Sequence, residues 1–281
     1  MTVPQIAASV IFTTYNQPDW LEKVLLGLAA QDRLDFEVIV ADDGSAAETG
    51  DRIERLRPRM PFALRHLWQE DRGFRKCEAL NRAIVASRAD YLVFTDGDCL
   101  PRRDFVATHL RLRAPGRFLS GGYHKLPMAT SRAIAAEDIE SGRCFDVRWL
   151  RAHGMPASWR DPKLRAGPLG GWLLDRVTTA RPSWNGHSAS AWKRDVVAVN
   201  GFDERMAYGG EDREFGERLE NAGVRGKRIR HRAVTLHLDH PRGYVGAEGI
   251  AFNRRLRDET RRSRRTWTDH GIVKASAPGD D

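Results

Sequence analysis

Three cysteines in 281 residues (Cys77, Cys99 and Cys144) are too few for a disulfide framework or a four-thiolate zinc site. A reducing, cytoplasmic setting is therefore expected. No run of about 18 apolar residues is present to form a bilayer-spanning helix, and the mean hydropathy of −0.53 agrees. The N-terminus lacks the basic region and long apolar stretch of a secretory signal. The first apolar run is not followed by G-x-G-x-x-G, which argues against a dinucleotide site. The pattern G-x-x-x-x-G-K followed by Ser or Thr is missing too, which argues against a P-loop nucleotidase. No signature of a nucleophilic Ser or Cys triad, internal repeat or low-complexity tract is found.

What is there begins with a core and a charge. Forty-one percent of the residues are apolar, enough for one large α/β domain or two smaller ones. Forty-six Lys and Arg against thirty-eight Asp and Glu leave +8. Much of that excess falls in Arg254–Arg265, where seven arginines face only Asp258 and Glu259, a local +5. A basic chain attracts nucleic acid, anionic headgroups or phosphorylated substrates, and the sign alone does not choose among them.

Along the chain, apolar β-branched runs at Ala8–Thr14, Phe36–Ala41, Leu64–Trp68 and Tyr91–Thr95 read as strands. Helical spacing fills the intervals at Asp19–Ala30, Ala46–Leu56 and Arg75–Ser87. Alternating strands and helices predict a parallel sheet with crossover helices. The rhythm breaks after about residue 115. Residues 120–185 are rich in Gly, Pro, Trp and Arg, with one helix expected over Glu137–Leu150. Regular structure returns at Ala191–Val199 and at Glu211–Ala222, where Gly223 is a fitting helix stop.

Ligands of open parallel sheets bind beyond the carboxyl ends of the strands. Those ends carry Thr13-Thr14-Tyr15-Asn16, Asp42-Asp43-Gly44-Ser45 and Asp96-Gly97-Asp98. Two carboxylates around a glycine suit a divalent ion held against a diphosphate; the plainer reading is a strand-end turn. A D-x-D-x-T/V phosphatase would need Thr or Val at position 100, where Leu100 stands. The segment Tyr208–Glu214 opens a helix with Glu211 and Asp212, which serve either as first-turn acids opposing the helix dipole or as a general base on a rigid element. Of His231, His237 and His240, one is expected to complete the aspartate site, with His237 preferred because it follows the alternating V-T-L-H-L run. Cys99 reads as a small buried apolar residue.

Taken together, SVIFTTYNQPDWLEKVLLGLAAQ, FEVIVADDGS, EDRGFRKCEALNRAIVASRADYLVFTDGDC and VNGFDERMAYGGEDREFGERLENAG resemble glycosyltransferase family 2. The GFDE…YGGED stretch further resembles bacterial chondroitin-type polymerases and β4-galactosyltransferases. The resemblance implies a GT-A fold: an α/β chain with a Rossmann-like, mostly parallel central sheet flanked by helices, an acceptor-side insertion and a basic C-terminal tail. It implies a sugar-nucleotide-binding half over residues 1–115, an acceptor-binding and catalytic half over 116–240, and a tail over 241–281. Thr13, Tyr15, Asp43, Arg75 and Asp96 are expected to hold the nucleotide-sugar. Asp98, with His237 and His240, would hold Mn²⁺ or Mg²⁺, and Trp184, Asn185, Gly210 and Glu211 would meet the acceptor. Asp212 becomes the catalytic base, with Glu211 beside it. Its position at a helix N-terminus is expected to lower its pKa. The galactosyltransferases carry a third acid after this pair, where this chain has Arg213.

The implied activity is inverting transfer of a sugar from a nucleotide-sugar, UDP being the expected carrier, to a saccharide or lipid-linked saccharide such as a bacterial surface polysaccharide. A metal-dependent phosphatase or nucleotidyltransferase on a similar sheet is the alternative. A nucleic-acid-binding module leaves the acidic strand ends unexplained, so no nucleic-acid partner is expected. Two readings of the Arg-rich tail stand: an element docking on an anionic membrane surface, peripheral on its inner face, or a solvated helix braced by Arg254–Asp258 and Arg255–Glu259 pairs.

Overall fold

The computed structural model describes residues 6–159, 161–241 and 246–274. Its first half follows the expected alternation: β1 (Ala8–Thr14), α1 (Pro18–Ala29), β2 (Phe36–Asp42), α2 (Ala47–Leu56), β3 (Ala63–Trp68), α3 (Lys76–Ala86), β4 (Tyr91–Asp96), β5 (Cys99–Pro101) and α4 (Phe105–Leu112). Then come β6 (Arg117–Ser120), β7 (Gly122–Lys125) and five short helices: α5 (Met128–Ala133), α6 (Ala136–Glu140), α7 (Val147–Ala152), α8 (Pro162–Arg165) and α9 (Pro168–Val177). The chain closes with β8 (Ala189–Trp192), α10 (Lys193–Ala198), α11 (Glu211–Asn221), β9 (Arg225–Arg228), β10 (Val234–His237) and α12 (Ala247–Ser263).

Seven strands form the main sheet in the order β3-β2-β1-β4-β8-β6-β9. The pairs among β1 to β4 are parallel, and β8 runs antiparallel between β4 and β6. Both faces are covered, so the strands are apolar throughout rather than alternating. Val10, Phe12, Val38 and Val40 pack with Val24 and Leu25 of α1, Ile53 of α2 and Phe105 of α4. The side chains between them, Ile11, Ile39 and Phe94, turn the other way onto Leu80 and Ile84 of α3 and Phe215 and Leu219 of α11. A small second sheet, β5-β10-β7, carries the end of β10 alongside Cys99. Sheet order runs outward from β1 through β2 and β3, then resumes on its other side at β4. The crevice therefore opens between β1 and β4.

Two expectations need correction. The helix expected over Glu137–Leu150 is split into α6, a 3-10 turn at Arg143–Phe145 and α7, because Gly142 sits at φ +76°, outside the helical region. The basic stretch is the helix α12, braced otherwise than expected. Residues 242–245 and 275–281 lie outside the described residues, but α12 packs on α11. Leu256 is buried in the core, Asn253 Nδ2 donates to the Ala207 carbonyl at 2.7 Å, and Thr260 Oγ1 donates to Glu214 at 3.0 Å. Its acids also pair differently: Asp258 takes Arg261, Glu259 takes Arg265, and Arg257 reaches Glu217 of α11 at 2.7 Å. Beyond α12 the chain returns to Asn200, whose Nδ2 donates to the carbonyls of Thr268 at 2.6 Å and Val273 at 2.8 Å. No helix among the described residues is long and apolar enough to cross a membrane.

Candidate active site

The carboxyl ends of β1, β2 and β4 open into one cleft of about 650 Å³, a size that suits a nucleotide-sized ligand. Thr13, Tyr15, Asp43, Asp96 and Asp98 line it from the strand ends, and Glu211, Asp212, His237 and His240 complete the lining. The sheet register explains the first set. Thr13 pairs with Asp96, and the Gly97 N–H donates to the Thr13 carbonyl at 3.0 Å. A Cβ on Gly97 would lie 2.5 Å from that oxygen, so the turn between the two aspartates requires glycine.

Asp43 is buried and accepts from Gln69 Nε2 at 2.7 Å and from the Arg75 N–H at 2.8 Å. Burial pushes its carboxyl up to about 6 against the pull of those donors. Tyr15 is half exposed at the mouth, its hydroxyl donating to Asp71 at 2.9 Å. Arg75 does not fill its expected place. Its guanidinium is turned onto Glu78, at 2.8 Å, and the Glu70 carbonyl, so only its backbone serves the site.

The neighbouring residue lines the cleft instead. Lys76, first in α3, puts Nζ 3.2 Å from Asp96 Oδ1, 3.7 Å from Glu211 Oε1 and 3.9 Å from Asp212 Oδ2. Burial disfavours its charge, but the three carboxylates outweigh that and hold its pKa well above the ordinary lysine value. The sequence reading passed over Lys76; the signal was its place at the start of a helix aimed at the end of β4.

Glu211 and Asp212 open α11 after Gly209 and Gly210, which turn the chain at φ +104° and +114°. The Gly209 N–H donates to Glu211 at 2.9 Å and the Gly186 N–H to Asp212 Oδ2 at 3.0 Å, while Asp212 Oδ1 has no hydrogen-bond partner among the described residues. A Cβ on Gly186 would come 2.8 Å from Asp212 Oδ2 and 3.0 Å from Asp96 Oδ1, so glycine lets both carboxylates stay where they are. The expected lowering of the Asp212 pKa is overturned. Burial raises it, Glu211 and Asp96 add to the rise, and Lys76 only partly opposes them, leaving it at about 7.

Trp184, Asn185 and Gly210 do not face the cleft as acceptor residues would. Trp184 is fully buried among Phe94, Phe118 and Phe215, wedged against Gly216 of α11. Asn185 accepts from the Ser188 N–H at 2.9 Å and so shapes the turn that presents Gly186. Gly210 backs onto the Arg257 side chain. Arg213, where the third acid would stand, donates to Ser183 Oγ.

Asp98 meets both expected histidines. Its Oδ2 lies 2.7 Å from His240 Nε2 and 3.7 Å from His237 Nε2. Each ring donates Nδ1–H to a backbone carbonyl, of Leu238 at 3.0 Å and Pro241 at 2.8 Å, and turns Nε2 to the carboxylate, a contact that is favourable with Nε2 protonated or with a cation held between the two. Burial would raise the Asp98 pKa, but the His240 hydrogen bond and both imidazoles hold it at about 2. One ionised oxygen donor and two imidazole nitrogens fit Mn²⁺, and Mg²⁺ less closely because of its preference for oxygen. Both rings reach Asp98, His240 more closely, whereas His237 is the one whose ligand atom lies within 4.8 Å of both Asp98 and Cys99. Cys99 also touches Asp98, at 3.3 Å, but burial raises its pKa and keeps it a thiol. His231 is elsewhere, bound to Asp175 at 3.0 Å.

The site is thus an acidic cleft at the strand ends of an open α/β sheet, with an Asp–His–His cluster in its lining. Residues 9–113 match the model of glycosyl transferase family 2, and residues 182–241 match that of the N-terminal domain of galactosyltransferase. The first stretch makes up over a third of the chain, which is similar to glycosyltransferase family 2 there and to the galactosyltransferase domain over the second stretch. The chain is 28% identical over 275 residues to the uncharacterized glycosyltransferase YfnE of Bacillus subtilis, covering 88% of this chain and 68% of that one. It is 24% identical to the chondroitin synthase of Escherichia coli over 83% of this chain and only 35% of that protein. Among solved structures, the mannosyltransferase PcManGT from Pyrobaculum calidifontis, in complex with GDP-Man and Mn²⁺, superposes with a TM-score of 0.58 at 23% identity, covering 84% of this chain and 58% of that one. Residues 1–349 of TarS from S. aureus, in complex with UDP-GlcNAc, superpose with a TM-score of 0.58 at 17% identity, covering 89% of this chain and 65% of that one. These likenesses establish the GT-A fold.

Proposed function

We propose that this protein transfers a sugar from a nucleoside diphosphate sugar, UDP being the favoured carrier, to a hydroxyl of a saccharide or lipid-linked saccharide, with inversion at the anomeric carbon. The observation that carries the reading is the pairing of Asp212, a carboxylate buried to a pKa of about 7 beside Lys76, with the Asp98–His237–His240 cluster lining the same cleft. Asp98 and the two histidines would hold Mn²⁺ or Mg²⁺, which when bound supplies positive charge to a leaving diphosphate. A cleft lined by Asp43, Asp96, Asp98, Glu211 and Asp212 and carrying the ammonium of Lys76 otherwise repels a diphosphate, and it repels a nucleic acid for the same reason.

The chain's own residues supply the rest. Thr13, Tyr15 and Asp43 line the donor side and Asp96 faces the ribose. Asp212 takes the proton of the acceptor hydroxyl as that oxygen attacks, and its raised pKa makes it a better base than an exposed aspartate. Direct displacement converts an α-linked donor into a β-linked product. Glu211 lies beside the base, where it can accept a hydrogen bond from the acceptor. The GDP-Man and UDP-GlcNAc complexes of the two structural neighbours support a sugar-nucleotide donor, and the chondroitin synthase relative supports a saccharide acceptor. The test is a screen of sugar nucleotides for hydrolysis and transfer, with and without chelator. One donor should be consumed in a metal-dependent way. Full turnover in excess chelator overturns the metal assignment, and cleavage of simple phosphate esters in preference to every sugar nucleotide overturns the transferase reading in favour of a phosphatase.

A further inference from the structure

Helix α9 is built inside out. At helical spacing Leu169, Trp172, Leu173, Arg176 and Val177 share one face, and Gly171 and Asp175 lie on the opposite one. The polar face is the anchored one. Asp175 is 6% exposed and takes Arg232 Nε at 2.7 Å and His231 Nδ1 at 3.0 Å. Gly171 rests so close to the His231 carbonyl that a Cβ would lie 2.8 Å away. The apolar face stands in solvent, with Leu169 72%, Leu173 50%, Val177 73% and Trp172 39% exposed. A surface helix ordinarily turns its apolar side inward, and a contiguous exposed patch of this kind marks a contact surface.

The surrounding charge says what covers it. Between residues 161 and 181 the two acids are buried, Asp161 against Arg151 and Asp175 against Arg232. The exposed charges are Arg165, Arg176 and Arg181, of which Arg181 pairs with Glu220 at 2.6 Å, and the Arg176 guanidinium lies 4.6 Å over the Trp172 ring. We propose that α9 lies in the headgroup plane of an anionic membrane. Leu169, Leu173 and Val177 would enter the acyl boundary, Trp172 would sit at the interface, and Arg176 would extend its head to the phosphates. A second copy of this chain presents the same positive patch and is disfavoured. The Arg-rich α12 lacks such a face, because its Leu256 is buried and its Phe252 packs against the core.

The experiment is co-sedimentation of the full chain with vesicles of phosphatidylcholine, with and without phosphatidylglycerol. The chain should pellet with the anionic vesicles and not with the neutral ones. Replacing Leu173 and Val177 together with Gln alters only exposed positions. It should leave the melting temperature unchanged and weaken partitioning at least about tenfold. Arg176→Gln should weaken binding to the anionic vesicles alone. The proposal is overturned if the double variant binds vesicles as well as the parent. It is also overturned if light scattering shows a dimer that the same substitutions separate, which would give the face to a second copy. Neither outcome depends on sugar transfer.

Discussion

Replacing Asp212 with Asn should make the protein more stable and nearly inactive. The carboxyl rises from an ordinary value near 3.8 to about 7. At about 1.4 kcal/mol per unit, holding it ionised in the folded state costs up to about 4 kcal/mol above pH 7. Water at the cleft mouth and the Lys76 ammonium soften this, and about half is a fair expectation, or about 4–8 °C in melting temperature for a chain of this size. The sign follows from proton binding. The folded state binds the proton more tightly than the unfolded state, so this group's stabilising contribution is complete below about pH 4 and is lost as pH rises through about 7. Asparagine removes that loss. The carboxylate meets the Gly186 N–H at 3.0 Å and Lys76 at 3.9 Å, both through Oδ2. An amide can place its oxygen there and its nitrogen at the Oδ1 position, which has no partner. Thermal melts should therefore show the variant above the parent at pH 8 and close to it at pH 4. Transfer should fall by about 10²–10⁴-fold, while the parent's rate climbs with pH through about 7. Near-normal transfer by Asp212→Asn refutes the base assignment and moves attention to Glu211. An unchanged melt at pH 8 refutes the burial argument.

Lys76→Met removes the cation that opposes the rise in the Asp212 pKa, so the acid limb of the pH–rate profile should move to higher pH; an unmoved limb would detach Lys76 from the base. His240→Ala and His237→Ala should each weaken Mn²⁺ binding about 10-fold or more, measured by titration of the protein with metal, and retention of full affinity in both would dismiss the cluster. Gly216→Ala forces a methyl group to within 2.6 Å of Trp184 Cβ and should cost about 1–3 kcal/mol in denaturant unfolding, with no change if the wedge is not tight.

The strands were legible because burial on both sheet faces leaves an uninterrupted apolar signature, and the polar residues at their ends stand out where that signature stops. The acids therefore read correctly as a rim. Other features depend on what lies opposite in space. Trp184 sits in a Trp-rich loop and reads as an aromatic platform for a sugar, yet Gly216 on α11 opens a slot that takes the whole ring into the core. Nothing within residues 170–190 announces that glycine. Seven arginines likewise hid the stripe Asn253, Leu256 and Thr260, whose helical spacing fixes α12 onto α11. The charge was read as the function of the segment, whereas its three quiet residues determine where it lies. Gly142 breaks a helix that composition favours because the chain needs a left-handed turn there.

The same limitation explains why local reasoning gave the wrong sign for Asp212. A helix N-terminus lowers a carboxylate's pKa through a partial charge that fades within one turn, whereas removal from water acts on the full charge of the group and wins when the two compete. Asp98 and Asp212 make the contrast within one cleft. Both are partly buried aspartates, but Asp98 faces two imidazoles and is held at about 2, whereas Asp212 shares one ammonium with Asp96 and Glu211 and rises to about 7. A group that binds a cation must stay ionised, and a group that takes a proton near neutral pH must bind it neither too weakly nor too tightly. Two residues of one type are thus driven to opposite ends of their range by what each faces, two imidazoles in one case and burial beside two further carboxylates in the other, which is the division of labour that displacement of a diphosphate by a hydroxyl requires.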